Sequence, residues 1–115
     1  MGSDKRTIKR RQLLYYLPVL DADTNEMLGR IVDITTEGLM LTNEEAMNEE
    51  SVRDIIIVPE SEMVDIDKIH LTAECRWSRK ANMLSGYDNG LFFLNMTKDK
   101  IKTITELIKY LQFNQ

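Results

Sequence analysis

Cysteine, histidine and tryptophan occur once each in these 115 residues, as Cys75, His70 and Trp77, and proline occurs only twice. A single thiol forms no intrachain disulfide. This excludes a disulfide-stapled scaffold and suits a reducing compartment, so a cytoplasmic location is expected. One histidine and one cysteine cannot build a structural zinc centre, and no metal site is expected. Charged residues interrupt every apolar run well short of the roughly 20 residues that a membrane span requires. The basic stretch Lys5–Arg11 is not followed by an apolar signal region with a small-residue cleavage site. Arg6 stands where an N-myristoylation motif needs Ser or Thr. With only five glycines, the chain shows no Walker loop, no Gly-rich dinucleotide turn and no Gly-x-Ser-x-Gly elbow.

Charge is unevenly spread. Fifteen Lys and Arg stand against nineteen Asp and Glu, for a net charge of −4. Lys5, Arg6, Lys9, Arg10 and Arg11 nevertheless crowd one short opening segment. The overall balance argues against polymeric nucleic acid as a partner, although Tyr15 and Tyr16 lie beside the cations. Residues 1–12 read either as a solvated, flexible basic arm or as a local anion-binding element.

The rest of the chain, 13–115, reads as one domain. Leu13–Ala22 is an aromatic and apolar strand in which Pro18 belongs at an unpaired edge or a bulge. A polar turn over 21–26 leads into a second strand, Met27–Ile34, and Gly38–Thr42 is a short third. Between them Asp33-Ile-Thr-Thr-Glu-Gly38 forms a compact loop, with Gly38 supplying positive φ or close backbone approach. Asn43–Glu50 reads as a polar connection or one helical turn, and Ser51–Val58 as a β-branched strand. Ile69, Leu71, Ala73, Cys75 and Trp77 alternate with polar residues, which predicts a long strand with one buried face. Ala81–Asn89 reads as a loop and Leu91–Met96 as a further strand. Thr97 is a suitable N-cap for an amphipathic helix over about 98–112, with Ile101, Ile104, Leu107, Ile108 and Leu111 on its apolar face. About six strands with hairpin-length connections and one terminal helix predict a mainly β fold, a small antiparallel barrel or sandwich packed by the helix. The absence of strand–helix–strand alternation excludes doubly wound nucleotide folds.

Catalytic readings find little support. His70 falls on the strand face opposite Cys75, which disfavours a Cys–His pair, and the carboxylates lie in loops as a solvating surface. No enzyme is expected. Arg6 and Arg10, four apart, can point to one side and grip phosphates or a guanine edge bidentately. Asp33 offers an acceptor and Thr35 a hydroxyl. A plain tight turn is the alternative for this loop, and the buried strand face is the alternative for Trp77. Met47, Met63 and Met83 are compatible with an adaptable protein-contact surface, although filler packing is the commoner role of methionine.

Arg6-Thr-Ile-Lys-Arg10, followed after a strand by Asp33-Ile-Thr-Thr-Glu-Gly38, resembles the paired RxxxR and (D/N)xSxxG motifs of PilZ domains. The segments Cys75-Arg-Trp77 and Asn89-Gly-Leu-Phe-Phe93 and the terminal helix also resemble that family, whose fold is a six-stranded barrel. The resemblance implies a non-enzymatic receptor for the bacterial second messenger cyclic di-GMP, acting on a downstream protein. It assigns the ligand to Arg6, Arg10 and Arg11 on the arm and to Asp33, Thr35 and Gly38 on the barrel, with Thr36 and Trp77 as further candidates. Thr35 stands where the family usually has Ser. The alternative that the resemblance carries is an interaction module that does not bind the nucleotide.

Overall fold

The computed structural model describes residues 17–60, 64, 68–81 and 86–113. Six strands are formed: β1 (Pro18–Asp21), β2 (Met27–Ile34), β3 (Gly38–Asn43), β4 (Val52–Ile57), β5 (Ile69–Lys80) and β6 (Tyr87–Leu94). Helix α1 (Lys98–Phe113) ends the described chain. The strands close into a barrel in the order β1-β2-β3-β6-β5-β4, and every pairing is antiparallel. The expected architecture is therefore the observed one. Because the barrel is closed, β1 pairs on both sides, and Pro18 is neither at an edge nor at a bulge. It is the first residue of its strand, a position that needs no ladder donor, and its carbonyl accepts from Val58 N at 3.2 Å.

Inward-facing Val19, Ile31, Leu41, Ile55, Ile57 and Leu91 fill the barrel, and Ile104, Leu107 and Leu111 of α1 join the same core. Their spacing of three and four is one stripe of a helix. Ile101 was expected on that stripe but is 42% exposed, so the packed face begins a turn later. Thr97 caps the helix as expected, with Lys100 N donating to its Oγ1 at 3.2 Å.

The start of β6 differs from expectation, and the reason is a buried polar network. Asp88-Asn89-Gly90 has turn composition, yet β6 already begins at Tyr87, because the side chain of Asn89 is satisfied inside the barrel. Its amide nitrogen donates to the Leu41 carbonyl at 3.2 Å and to Asn43 Oδ1 at 3.1 Å. Its Oδ1 accepts from Ser78 Oγ at 2.6 Å and from Met47 N at 3.4 Å. The segment after β3 is the polar connection rather than a helical turn, and it carries Met47 into the core at 7% exposure. Met47 is thus packing rather than contact surface, and Met63 and Met83 lie outside the described residues.

The β1–β2 turn is held by Asp21, whose Oδ1 accepts from Asp23 N at 2.8 Å and Thr24 N at 3.2 Å, while Oδ2 meets Arg53 Nη1 at 3.2 Å. The Asp23 N–H, with help from Thr24 and Arg53, holds this carboxyl below its ordinary range against an opposing desolvation effect. A folded-state value below the unfolded one gives stability that is complete above the unfolded carboxylate pKa and is lost as pH falls through the folded value. Asp21→Ala should therefore cost about 1–2 kcal/mol at pH 7. Urea titrations repeated at pH 3 and below should show the gap to the unsubstituted protein narrowing; a gap independent of pH would assign the effect to turn geometry alone.

Candidate functional site

Strict alternation along β2 would send Asp33 inward with Gly29 and Ile31, and along β5 would send Trp77 inward with Ala73 and Cys75. Neither happens. On β2, Ile31 pairs with Leu41 and Asp33 with Met40, leaving Val32 as an extra residue. On β5, Cys75 pairs with Leu91 and Trp77 with Gly90, leaving Arg76 extra. Each is a β-bulge, and each reverses the in–out phase of the residues that follow. Asp33 and Trp77 consequently face outward, while Ile34 and Ser78 turn to the interior. The buried face read for Trp77 from alternation is thus corrected by the bulge: the indole is half-buried on the outside.

The register then aligns Asp33, Met40, Gly90 and Trp77 as one outer row across β2, β3, β6 and β5. Three interstrand steps span it, about 14 Å along the curved wall. Gly90 makes the row possible, since a Cβ there would overlap Nε1 and Cε2 of the indole, which lies across the glycine. Around the row is a shallow depression of about 210 Å³, lined by Asp33, Thr35, Glu37, Gly38, Met40 and Phe92 among others, with Trp77 at its β5 side.

The β2–β3 connection is pinned locally. Asp33 Oδ1 accepts from Ile34 N at 2.9 Å, Thr35 N donates to the Gly38 carbonyl at 2.8 Å, and Thr35 Oγ1 accepts from Glu37 N at 3.1 Å. Gly38 has no left-handed φ, so its first expected role is replaced by the second, close approach. A Cβ there would overlap the Leu91 carbonyl oxygen and come within 3.2 Å of Phe92 Cα. Thr36 sits in the same loop but does not line the depression. Arg6, Arg10 and Arg11 lie outside the described residues. The chain that carries them enters the barrel at Leu17, whose carbonyl accepts from Ile31 N at 3.1 Å, two residues before Asp33.

Three contributors escaped the sequence reading: Gly90 as the seat of the indole, and two arginines stacked on aromatic rings. Arg79 lies over Trp77 at 4.4 Å and Arg76 over Phe92 at 4.3 Å. The spacing Trp77-Ser-Arg79 was the available signal, since residues two apart on a strand share a face. Elsewhere, a larger depression of about 330 Å³ is lined by Asp21, Asp23, Asp54 and Arg53. Arg53 is engaged by Asp21 there, so the local field repels anions. Cys75 is buried, which pushes its thiol up and away from reactivity, and His70 is exposed on the opposite face. Among the described residues no group of three or more His, Cys, Asp or Glu side chains could hold a metal ion. None of the described helices is long and apolar enough to cross a membrane.

A closed six-stranded antiparallel barrel with a terminal helix and a Dx(T)xxG loop on its outer face defines a known class. The family model of the PilZ domain matches residues 4–110, and the chain belongs to that family. PilZ domains are receptor and adaptor domains. Among solved structures, the fold is similar to the PilZ domain of YcgR from Escherichia coli with c-di-GMP. The TM-score is 0.65 at 17% identity, covering 87% of this chain and 85% of that one. It is also similar to the inhibitor of motility MotI/DgrA from Bacillus subtilis, with a TM-score of 0.63 at 15% identity over 85% of this chain and 44% of that one. The chain thus spans less than half the length of the Bacillus protein, and at these identities the likeness is one of fold. No curated protein matches the chain.

Proposed function

We propose that this chain is a non-catalytic receptor for cyclic di-GMP that acts in the bacterial cytoplasm by changing the surface it shows to a downstream protein. Residues 1–12 form the basic arm and 13–115 the domain that it serves. The observation that carries this reading is the outer row Asp33–Met40–Gly90–Trp77, with Leu17, the first described residue, hydrogen-bonded to β2 beside it. Membership of the PilZ family and the ligand of the YcgR domain supply the identity of the dinucleotide.

On this reading Arg6 and Arg10 clamp the phosphates and guanines, Arg11 adds charge, and Asp33 accepts from a guanine N–H edge. Thr35 offers its hydroxyl, and Gly38 keeps β3 close enough to β6 to hold the loop against the depression. The indole of Trp77, laid over Gly90 and carrying the Arg79 guanidinium, supplies an aromatic wall beside which a purine packs. Asp33 and Glu37 alone would repel a dianion, so the cations of the arm are required for binding rather than auxiliary to it.

Trp77 is the sole tryptophan, and its emission is therefore a direct reporter of the depression. Titration with cyclic di-GMP should quench it in step with the heat measured by calorimetry. Arg10→Ala should weaken binding by about 2 kcal/mol or more, since a bound phosphate loses a charged partner. Absence of heat at about 100 μM ligand, equivalent to roughly 5.5 kcal/mol of affinity, would leave the chain as an interaction module without a nucleotide.

A further inference from the structure

Arg79 follows Trp77 by two residues on β5, and its guanidinium carbon stands 4.4 Å from the centroid of the indole ring. Arg76, by contrast, is held by Phe92 and donates from Nε to Glu74 Oε1 at 3.1 Å. Arg79 is exposed and makes no ion pair with a described carboxylate, although its cross-strand neighbour on β6 is Asp88. Its guanidinium is thus held against the indole while its N–H donors are uncommitted among the described residues. An arginine in that state has lost part of its rotamer freedom before any ligand arrives, which lowers the cost of using it for recognition.

Resting on the cyclic dinucleotide reading above, we infer that Arg79 is a base-reading residue of the same site. Its paired N–H donors take O6 and N7 of a guanine lying beside it over the depression. The chemistry selects the base. Guanine presents two acceptors on that edge, whereas adenine presents one acceptor and one donor, so a fixed guanidinium fork is fully matched only by guanine. The ligand class is therefore a guanine-containing cyclic dinucleotide rather than any cyclic dinucleotide. Lysine at this position keeps the charge but not the fork.

The test is calorimetric titration of the full chain, as unsubstituted protein, Arg79→Ala and Arg79→Lys, with cyclic di-GMP and cyclic di-AMP. Arg79 is exposed, so neither variant disturbs the core. The unsubstituted protein should favour cyclic di-GMP, and both variants should lose about tenfold or more of that preference. Retention of the full preference in Arg79→Lys would show that the residue supplies charge only and would overturn the inference while leaving the receptor reading intact. Binding of neither dinucleotide by the unsubstituted protein would overturn both.

Discussion

Gly38→Ala is expected to destabilise the barrel by about 3 kcal/mol, the upper part of the range for forced overpacking. For a chain of this size that corresponds to a loss of about 10 °C in Tm. The reason is where the new methyl group would go. Gly38 pairs with Phe92 across β3 and β6, and a Cβ at this position would overlap the carbonyl oxygen of Leu91. That obstacle is backbone, so no change of rotamer relieves it and the strands must part. Parting them weakens the hydrogen bonds that seat the loop, Thr35 N to the Gly38 carbonyl at 2.8 Å and Phe93 N to the Glu37 carbonyl at 2.9 Å. Since no left-handed φ is involved, Gly38→Asn should fare no better than alanine, whereas a glycine needed for positive φ would tolerate asparagine. Thermal melts of the two variants decide the matter: an alanine variant within 0.5 kcal/mol of the unsubstituted protein, or an asparagine variant clearly better than alanine, would refute the close-approach role.

Asn89→Leu should cost about 3 kcal/mol even though leucine is close in size and more hydrophobic. Asn89 is fully buried, and its amide makes two donor and two acceptor contacts, the full capacity of the group. Replacing it takes a partner from the Leu41 carbonyl, Asn43 Oδ1, the Ser78 hydroxyl and the Met47 amide, and each buried group left unpaired costs on the order of 1–3 kcal/mol unless water reaches it. The sum falls well short of four full penalties because Met47 N still donates to Ser78 Oγ at 3.2 Å, so both of these groups keep a partner. Urea denaturation at constant m-value measures the loss. Stability equal to that of the unsubstituted protein would mean that hydrophobic transfer outweighs the network at this position.

Local chemistry made several elements legible. The alternation Ile69 to Cys75 marks β5, the Thr97 cap and the Ile104, Leu107 and Leu111 stripe mark α1, and β-branched Ile55–Ile57 marks β4. In each case the signal and the structure have the same short range: a residue's face is set by its neighbours two, three or four positions away. The pair of motifs around Arg6 and Asp33 was readable for the same reason, since composition and spacing are properties of the chain itself. Asn89 reads as loop because its partners are distant, and packing rather than surface contact is settled for Met47 by elements equally remote in sequence. Residues of turn composition become strand and core when another element satisfies their polar atoms or covers their side chains.

What the sequence by itself determined is therefore the inventory: six strands, one helix, a basic opening segment, and a loop carrying Asp33, Thr35 and Gly38. What only the tertiary structure decided is which side of the wall the key side chains occupy. A period of two carries no mark of an inserted residue, so the phase of Asp33 and of Trp77 depends on the partner strand that pairs across each bulge, Leu41 to Met40 for one and Leu91 to Gly90 for the other. Those pairings turn a residue read as core into the wall of the outer depression and set Arg79 on the same face, over the indole.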